Sequence, residues 1–282
     1  MKKVLFASTA LIATAGVAAA EITFNGSANL GVIYEDIGGA TSTVVKNEID
    51  FQIVGSGETD GGLKFGATLD VDGATNNAAN SANAADPDVW IEINGLKLLT
   101  GLNDAANDNE GLPDVGFDDL GVDDAGEVSG SGSADVVVSY SFGDISVAAS
   151  ADSSGNDWAV GAAGSFSDVS FKVGFGEAAG NDEMNLYLGY TTGAFTVGAQ
   201  YSENGTNSGW GVHGSYSQGD LTVTAVYSEN DNATSATRAS EAYGIGVAYS
   251  LGGGATIAGG IAQTTTNSVD RTAVDLGMTF KF

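Results

Sequence analysis

The chain has 282 residues, a formal net charge of −27 at neutral pH and no cysteine. Such an acidic chain is excluded from nucleic-acid binding, which needs a basic footprint. The lack of cysteine excludes disulfides and thiolate metal sites. The 42 glycines follow no collagen-like period, and together with the strand-like patterning they argue against long helices.

The first twenty residues differ in composition from the rest of the chain. Lys2 and Lys3 precede a short apolar run, and Ala18–Ala20 supplies the small residues that a signal peptidase recognises. The apolar run is shorter than the ~20 residues that a spanning helix needs. We therefore predict a cleaved secretory signal peptide over residues 1–20 and one domain over residues 21–282.

From residue 22 onward, apolar residues alternate with polar or small residues. Phe24, Leu30 and Val32 fall on one parity, whereas Asn25 and Asn29 fall on the other. This period of two predicts strands with one apolar face and one polar face. We count sixteen such segments, with fourteen as the alternative if one weak pair is overcounted. A closed barrel of sixteen strands leaves an aqueous channel.

The spacing of the segments favours an apolar face that points outward into lipid. Short turns are predicted at Asn94-Gly95, Gly143-Asp144, Ser167-Asp168, Gly193 and Gln218-Gly219-Asp220. Longer polar loops are predicted over 36–43, 73–86, 101–133, 152–157, 176–183, 203–208, 228–240 and 263–269. Outer-membrane barrels have short turns at one end and longer loops at the other.

Aromatic residues on the apolar parity mark both ends of the strands. One set lies beside the short turns: Tyr140, Phe142, Phe166, Tyr190, Phe195, Tyr216 and Tyr249. The other set lies near the longer loops: Tyr34, Trp158, Tyr201, Trp210, Tyr227 and Tyr243. Two aromatic rings suit the two lipid–water interfaces, and a terminal Phe282 suits a last strand that closes the barrel. The sequence therefore predicts an all-β fold: a transmembrane, antiparallel, up-and-down β-barrel.

The third long loop contains the motif that is most specific in the chain. The segment Glu110–Asp118, with its acid, proline, acid, apolar residue, glycine and acid, resembles the corresponding loop of trimeric general porins of Gram-negative bacteria, of the alpha-proteobacterial (Rhodobacter-like) type. The resemblance implies that this loop folds into the lumen and narrows the pore, that its acids face a basic wall, and that the protein is a homotrimer.

The chain departs from that family pattern where the basic wall is expected. Family members often carry a lysine on the first strand and arginines on the second and fourth strands. Here Ser27 lies on the first strand, Glu48 and Asp50 on the second, and Glu92 on the fourth. The arginine cluster is thinned, so no strong transverse field across the pore is expected.

Acids without any base crowd the third loop between residues 101 and 129. The predicted constriction acids are Glu110, Asp114, Asp118, Asp119, Asp123 and Asp124. A charged run is often only a solvated loop, but a loop this long usually has a function, and carboxylates that line a constriction select cations. Such crowding can also recruit Ca²⁺, for which Asp118, Asp119, Asp123 and Asp124 are the candidate ligands.

Several basic residues fall on the polar parity of their strands. A charge that faces lipid costs roughly 2–4 kcal/mol at the midplane, so avoidance of lipid alone would explain their placement. The sharper hypothesis is that some of them form a basic, pore-lining wall opposite the third loop. The candidates are Lys46, Lys64, Arg238 and Arg271.

These patterns indicate that the protein carries out passive transport rather than catalysis. The chain has a single histidine, His213, and no recognisable catalytic motif, so no enzymatic activity is expected. We predict a porin with a water-filled, cation-preferring channel for ions and small hydrophilic solutes. Its expected partners are the lipid bilayer and lipopolysaccharide of the outer membrane, and no cofactor is required, apart from an optional Ca²⁺. The alternatives are a structural or adhesive barrel with a plugged lumen, and a secreted calcium-binding protein, whose GGxGxD-type repeat is not found.

Overall fold

The computed structural model describes residues 21–72, 86–108, 111–130, 132–231 and 239–282. These residues contain sixteen strands. The first eight are β1 (Glu21–Ile37), β2 (Ala40–Glu58), β3 (Lys64–Asp72), β4 (Asp86–Ile93), β5 (Leu96–Asp104), β6 (Ser133–Phe142), β7 (Ile145–Ala151) and β8 (Trp158–Phe166). The second eight are β9 (Val169–Ala178), β10 (Asn181–Thr192), β11 (Phe195–Asn204), β12 (Asn207–Gln218), β13 (Leu221–Asn230), β14 (Glu241–Gly252), β15 (Ala255–Thr266) and β16 (Val269–Lys281).

The strands form one closed antiparallel barrel in which each strand pairs with its neighbours along the chain. The first and last strands close it, with Leu30 opposite Met278 and Gly31 opposite Gly277. This confirms the predicted sixteen-stranded barrel and excludes the fourteen-stranded alternative. No helix in the described part of the chain is long and apolar enough to span a bilayer.

The apolar parity of the strands points outward. Leu30, Leu188 and Leu276 are 55%, 51% and 63% exposed, although each lies in the middle of a strand. Large apolar side chains exposed in a continuous band need a lipid partner. The direction of the apolar face, which alternation alone leaves open, is therefore settled in favour of a membrane-facing exterior.

The last residue takes part in closing the barrel. The amide of Gly26 donates to the carbonyl of Phe282 at 2.8 Å, and the amide of Phe282 donates back at 2.9 Å. The Phe282 ring packs edge-on against Phe51, with 5.9 Å between ring centroids. The terminal aromatic residue is thus hydrogen-bonded into the seam rather than frayed.

The predicted loop lengths need correction at four hairpins. The loops predicted over 36–43, 176–183, 203–208 and 263–269 are in fact two-residue turns at residues 38–39, 179–180, 205–206 and 267–268. Their flanking residues continue the ladder because strands that extend beyond the bilayer keep their backbone hydrogen bonds while their side chains are polar. The loop over 152–157 is confirmed, and those over 73–86 and 228–240 fall largely outside the described residues.

Candidate functional site: the pore constriction

The third loop runs from residue 105 to residue 132 between β5 and β6, and its described residues lie inside the barrel. Val115, Leu120 and Val122 are at most 1% exposed. They pack on small inward-facing residues of the wall, which include Ala242, Ala262 and Ala273. Small wall residues leave room for the loop, so the main apolar core of this protein lies between the third loop and the inner face of β13–β16.

Glu183 on β10 fastens the two ends of the third loop to the wall. Its buried carboxylate accepts hydrogen bonds from the Asn107 side chain at 2.9 Å and from the Gly130 amide at 3.0 Å. It also accepts one at 2.7 Å from Asn204 on the next strand. A buried carboxylate with several donors is compensated for its lost hydration, so this acid serves as a structural anchor.

Inward-facing serines hold the returning half of the third loop. The Ser202 hydroxyl accepts from the Val128 amide at 2.9 Å and donates to the Gly126 carbonyl at 2.7 Å. The Ser228 hydroxyl donates to the Val122 carbonyl. These contacts satisfy loop backbone groups that are buried against the wall and have no strand partner.

Asp275 on β16 binds the tip of the loop. One carboxylate oxygen accepts hydrogen bonds from the amides of Phe117 and Asp118 at 2.6 and 2.9 Å, and the other accepts from Gly260 at 2.7 Å. Gly116 has a φ of +99°, and a Cβ there would lie 2.6 Å from the carboxylate, so this turn needs glycine. Because Asp275 is only 4% exposed, its carboxylate has lost most of its hydration, and the hydrogen bonds from the three amides replace those from water.

Two of the four predicted wall bases contact the third loop itself. The Lys46 ammonium lies 2.7 Å from a carboxylate oxygen of Asp118. Arg271 pairs with Glu35 at 2.6 Å and donates to the Leu120 carbonyl at 3.0 Å. Both cations are therefore engaged beside the loop rather than left to face it across open water.

The other two predicted wall bases are elsewhere. Lys64 lies at the short-turn end of β3, where its ammonium is 3.9 Å from the carboxylate of Glu92 on β4. Arg238 lies outside the described residues, as does the predicted loop acid Glu110.

The structure brings three of the predicted loop acids together. Carboxylate oxygens of Asp114, Asp119 and Asp123 lie within 4.8 Å of one another. Asp118 is drawn away from them by Lys46, whereas Asp124 stays near enough to act on their charge. Of the four predicted calcium ligands, the structure therefore brings Asp119 and Asp123 together, with Asp114 as the third member of the cluster in place of Asp118 and Asp124.

The neighbouring charges perturb two of these carboxyl groups. Burial, and then Asp119 and Asp124, raise the pKa of Asp114. Burial, followed by the charges of Asp119 and Glu127, raises the pKa of Asp123 to about 8. Asp123 is 6% exposed, and its Oδ1 accepts no hydrogen bond from any described residue.

The wall formed by β2–β4 is also acidic. Lys46 reaches the loop, so its parity on β2 faces the lumen, and the register carries this face to β3 and β4 by pairing Gln52 with Asp70 and Thr68 with Asp88. The lumen-facing acids of this wall include Glu48, Asp50, Asp70 and Asp88. Carboxylates thus occupy both the loop and the wall.

Several lumen residues escape analysis by sequence alone. Phe117, Tyr187 and Trp90 are aromatic residues inside the barrel, and none of them was given a role in the sequence analysis, which considered only the aromatic residues of the lipid-facing parity. The Lys97 ammonium lies 5.3 Å from the centroid of the Trp90 ring, and the Tyr187 hydroxyl lies 3.0 Å from Nε2 of His213. The parity of Trp90, between outward-facing neighbours, is the signal that could have revealed it.

Comparison with known proteins shows that the chain is similar to porins. A sequence model described as Gram-negative porin matches residues 7–270. A protein named porin from Fuscovulum blasticum is 29% identical over 93% of this chain and all of its own length. A solved structure of a triple mutant of the Rhodopseudomonas blastica porin is 24% identical, with a TM-score of 0.78, and one titled "Asymmetric conductivity of engineered proteins" is 25% identical, with a TM-score of 0.77. Each covers 93% of this chain and 100% of its own chain.

Proposed function

Because this chain belongs to the Gram-negative porin family and forms an outer-membrane diffusion channel, we propose that the channel prefers cations. The observation that carries this proposal is the distribution of charge around the lumen. Asp114, Asp119 and Asp124 are exposed on the third loop, and the wall of β2–β4 presents further carboxylates. Acids that line a narrow aqueous path attract cations and repel anions.

The lumen bases Lys46 and Arg271 oppose this preference only weakly. Lys46 and Arg271 are paired with Asp118 and Glu35, so much of their charge is cancelled locally. Transport through such a channel needs neither cofactor nor energy input. The third loop limits the size of the solutes that can pass, and small hydrophilic solutes diffuse through the water beside it.

Single-channel recording in a planar bilayer with a KCl gradient tests this proposal. We expect stepwise conductance and a reversal potential with the sign of the K⁺ equilibrium potential. A reversal potential with the sign of the Cl⁻ equilibrium potential would overturn the cation preference, although the protein would still be a channel.

The family membership favours an open channel over the alternative of a plugged structural barrel. The proposal assigns no catalytic reaction to the chain, in keeping with a family of channels.

The finer details of export and assembly extend this proposal. A signal peptide over residues 1–20 brings the chain to the outer membrane, where three identical barrels associate, and lipopolysaccharide contacts the exposed apolar exterior and the aromatic residues above it. The family resemblance and the basic, apolar start of the sequence support these details. An intact mass of the native oligomer that does not equal three chains beginning at Glu21 would contradict them.

We also propose that Asp114, Asp119 and Asp123 hold Ca²⁺. Calcium binds clusters of carboxylate oxygens, and the unpartnered Oδ1 of buried Asp123 offers one that no protein donor satisfies. Asp118, which the sequence suggested as a ligand, is committed to Lys46 instead. A bound Ca²⁺ would offset the burial and the repulsion that raise the pKa of Asp114 and Asp123, and it would tighten this part of the loop.

Calcium is therefore expected to stabilise the wild-type protein but not the variant Asp119→Asn/Asp123→Asn. A ligand at 100 times its dissociation constant contributes about 2.7 kcal/mol to the stability of the state that binds it. Thermal denaturation in detergent, in Ca²⁺ and in a chelator, measures the difference. Asp152→Asn, in an exposed hairpin outside the lumen, is the matched control and should respond to Ca²⁺ as the wild type does. An equal Ca²⁺ response in the double variant would exclude this site.

A further inference from the structure

The tip of the third loop carries one aromatic ring, Phe117, that lies against the seam where the barrel closes. Gly31 on β1 and Gly277 on β16 face each other directly across this seam. A Cβ built on Gly277 would lie 2.5 Å from three carbons of the Phe117 ring, and a Cβ on Gly31 would overlap the same ring. The two glycines therefore form a notch that the ring fills.

The notch exists only when the first and last strands are paired, because each strand supplies one of its two glycines. Asp275, two residues from Gly277 on β16, binds the amides of Phe117 and Asp118. Lys46 then binds the side chain of Asp118 from β2. Phe117 and Asp118 are thus held by three adjacent strands. The notch of β1 and β16 receives the Phe117 ring, Asp275 of β16 binds both amides, and Lys46 of β2 binds the Asp118 carboxylate.

We infer that Phe117, seated in the Gly31–Gly277 notch, is the positioning residue that sets the aperture of the pore. The ring determines how closely the loop tip lies against the seam, and the acids that precede and follow it move with the tip. A side chain in the notch must push the ring toward the lumen, because the wall behind the notch is the closed sheet itself. The aperture is therefore coupled to the closure of the barrel.

Gly277 is the cleaner site for a test, because its three nearest neighbours are all atoms of the Phe117 ring, whereas Gly31 also approaches a backbone carbonyl. We expect Gly277→Ala to lower the single-channel conductance by about twofold or more and to lower the size of the largest polyethylene glycol that enters the pore. Phe117→Ala/Gly277→Ala should have the conductance of Phe117→Ala alone, because the new methyl group then has nothing to displace. Gly214→Ala is the control, since a Cβ there meets nothing within 4 Å.

The inference rests on the channel function but not on its ion preference, because the readouts are conductance and solute size. A wild-type channel that prefers anions would sink the proposed selectivity and leave this test intact. Gly277→Ala with wild-type conductance and size cutoff would overturn the inference, as would a conductance loss that persists after the Phe117 ring is removed. If Gly277→Ala alone fails to fold, recovery of a folded channel in the double variant supports the inference, and failure of the double variant overturns it.

Discussion

Replacing Asp50 and Asp70 by lysine is expected to abolish the cation preference of the channel. Both side chains face the lumen from neighbouring strands, and each substitution changes the local charge by two units. A unit charge acts on an ion at roughly 8 Å in water with about 0.5 kcal/mol, and ~0.1 M salt roughly halves this energy. The summed change corresponds to a loss of at least about fivefold in the permeability ratio of K⁺ to Cl⁻, measured from the reversal potential.

A matched control separates this local effect from a change in net charge. Asp144→Lys/Asp220→Lys makes the same change in two exposed turns at the short-turn end of the barrel. Its reversal potential should stay close to that of the wild type. Equal shifts in the two double variants would mean that overall charge, rather than the acidic wall of β2–β4, decides the ion preference.

Asp275→Ala is expected to release the tip of the third loop and to make the open channel larger and noisier. The change leaves the amides of Phe117, Asp118 and Gly260 without their acceptor. Each buried donor left unpaired costs about 1–3 kcal/mol, which is enough to favour detachment of the loop tip from the inner wall of the barrel. Single-channel conductance and its current noise measure the effect, which should exceed that of Asp275→Asn, because the amide oxygen can still accept from Phe117 and Asp118.

Asp270→Ala provides the control on the same strand. Its carboxylate contacts the Thr265 hydroxyl in an exposed hairpin and touches no described residue of the third loop. Its conductance should match the wild-type value. If Asp275→Ala also gave a wild-type conductance with unchanged noise, Asp275 would not anchor the constriction.

The barrel itself was accessible from the sequence because its signal is local. Residues such as Phe24, Leu30 and Val32 show their parity within a few positions, and each hairpin joins strands that are adjacent in the chain. Strand ends were less accessible. Gly38 and Gly39 form a two-residue turn inside a segment predicted as a long loop, since polar side chains above the membrane do not distinguish a continued ladder from a loop.

The contacts of the constriction were less accessible because they are far apart in sequence. The acids of the third loop were visible as a run, and Asp114, Asp119 and Asp123 do come together. Asp275 lies 158 residues from Phe117, and nothing in the sequence around either residue indicates the other. Lys46 and Arg271 were recognised as lumen residues, but which partner each would take depends on the position of the loop tip.

The sequence by itself determined a series of strands with alternating faces, the long acidic loop and the family, because all of these depend on local period and composition, whereas the choice of sixteen strands over fourteen came from the structure. Only the tertiary structure decided that the apolar face points outward, that Asp118 pairs with Lys46 rather than with its neighbouring acids, and that Phe117 fills a notch between Gly31 and Gly277. These outcomes depend on closure of the barrel. Closure makes the two ends of the chain neighbours, and it creates the inner surface against which the loop must pack.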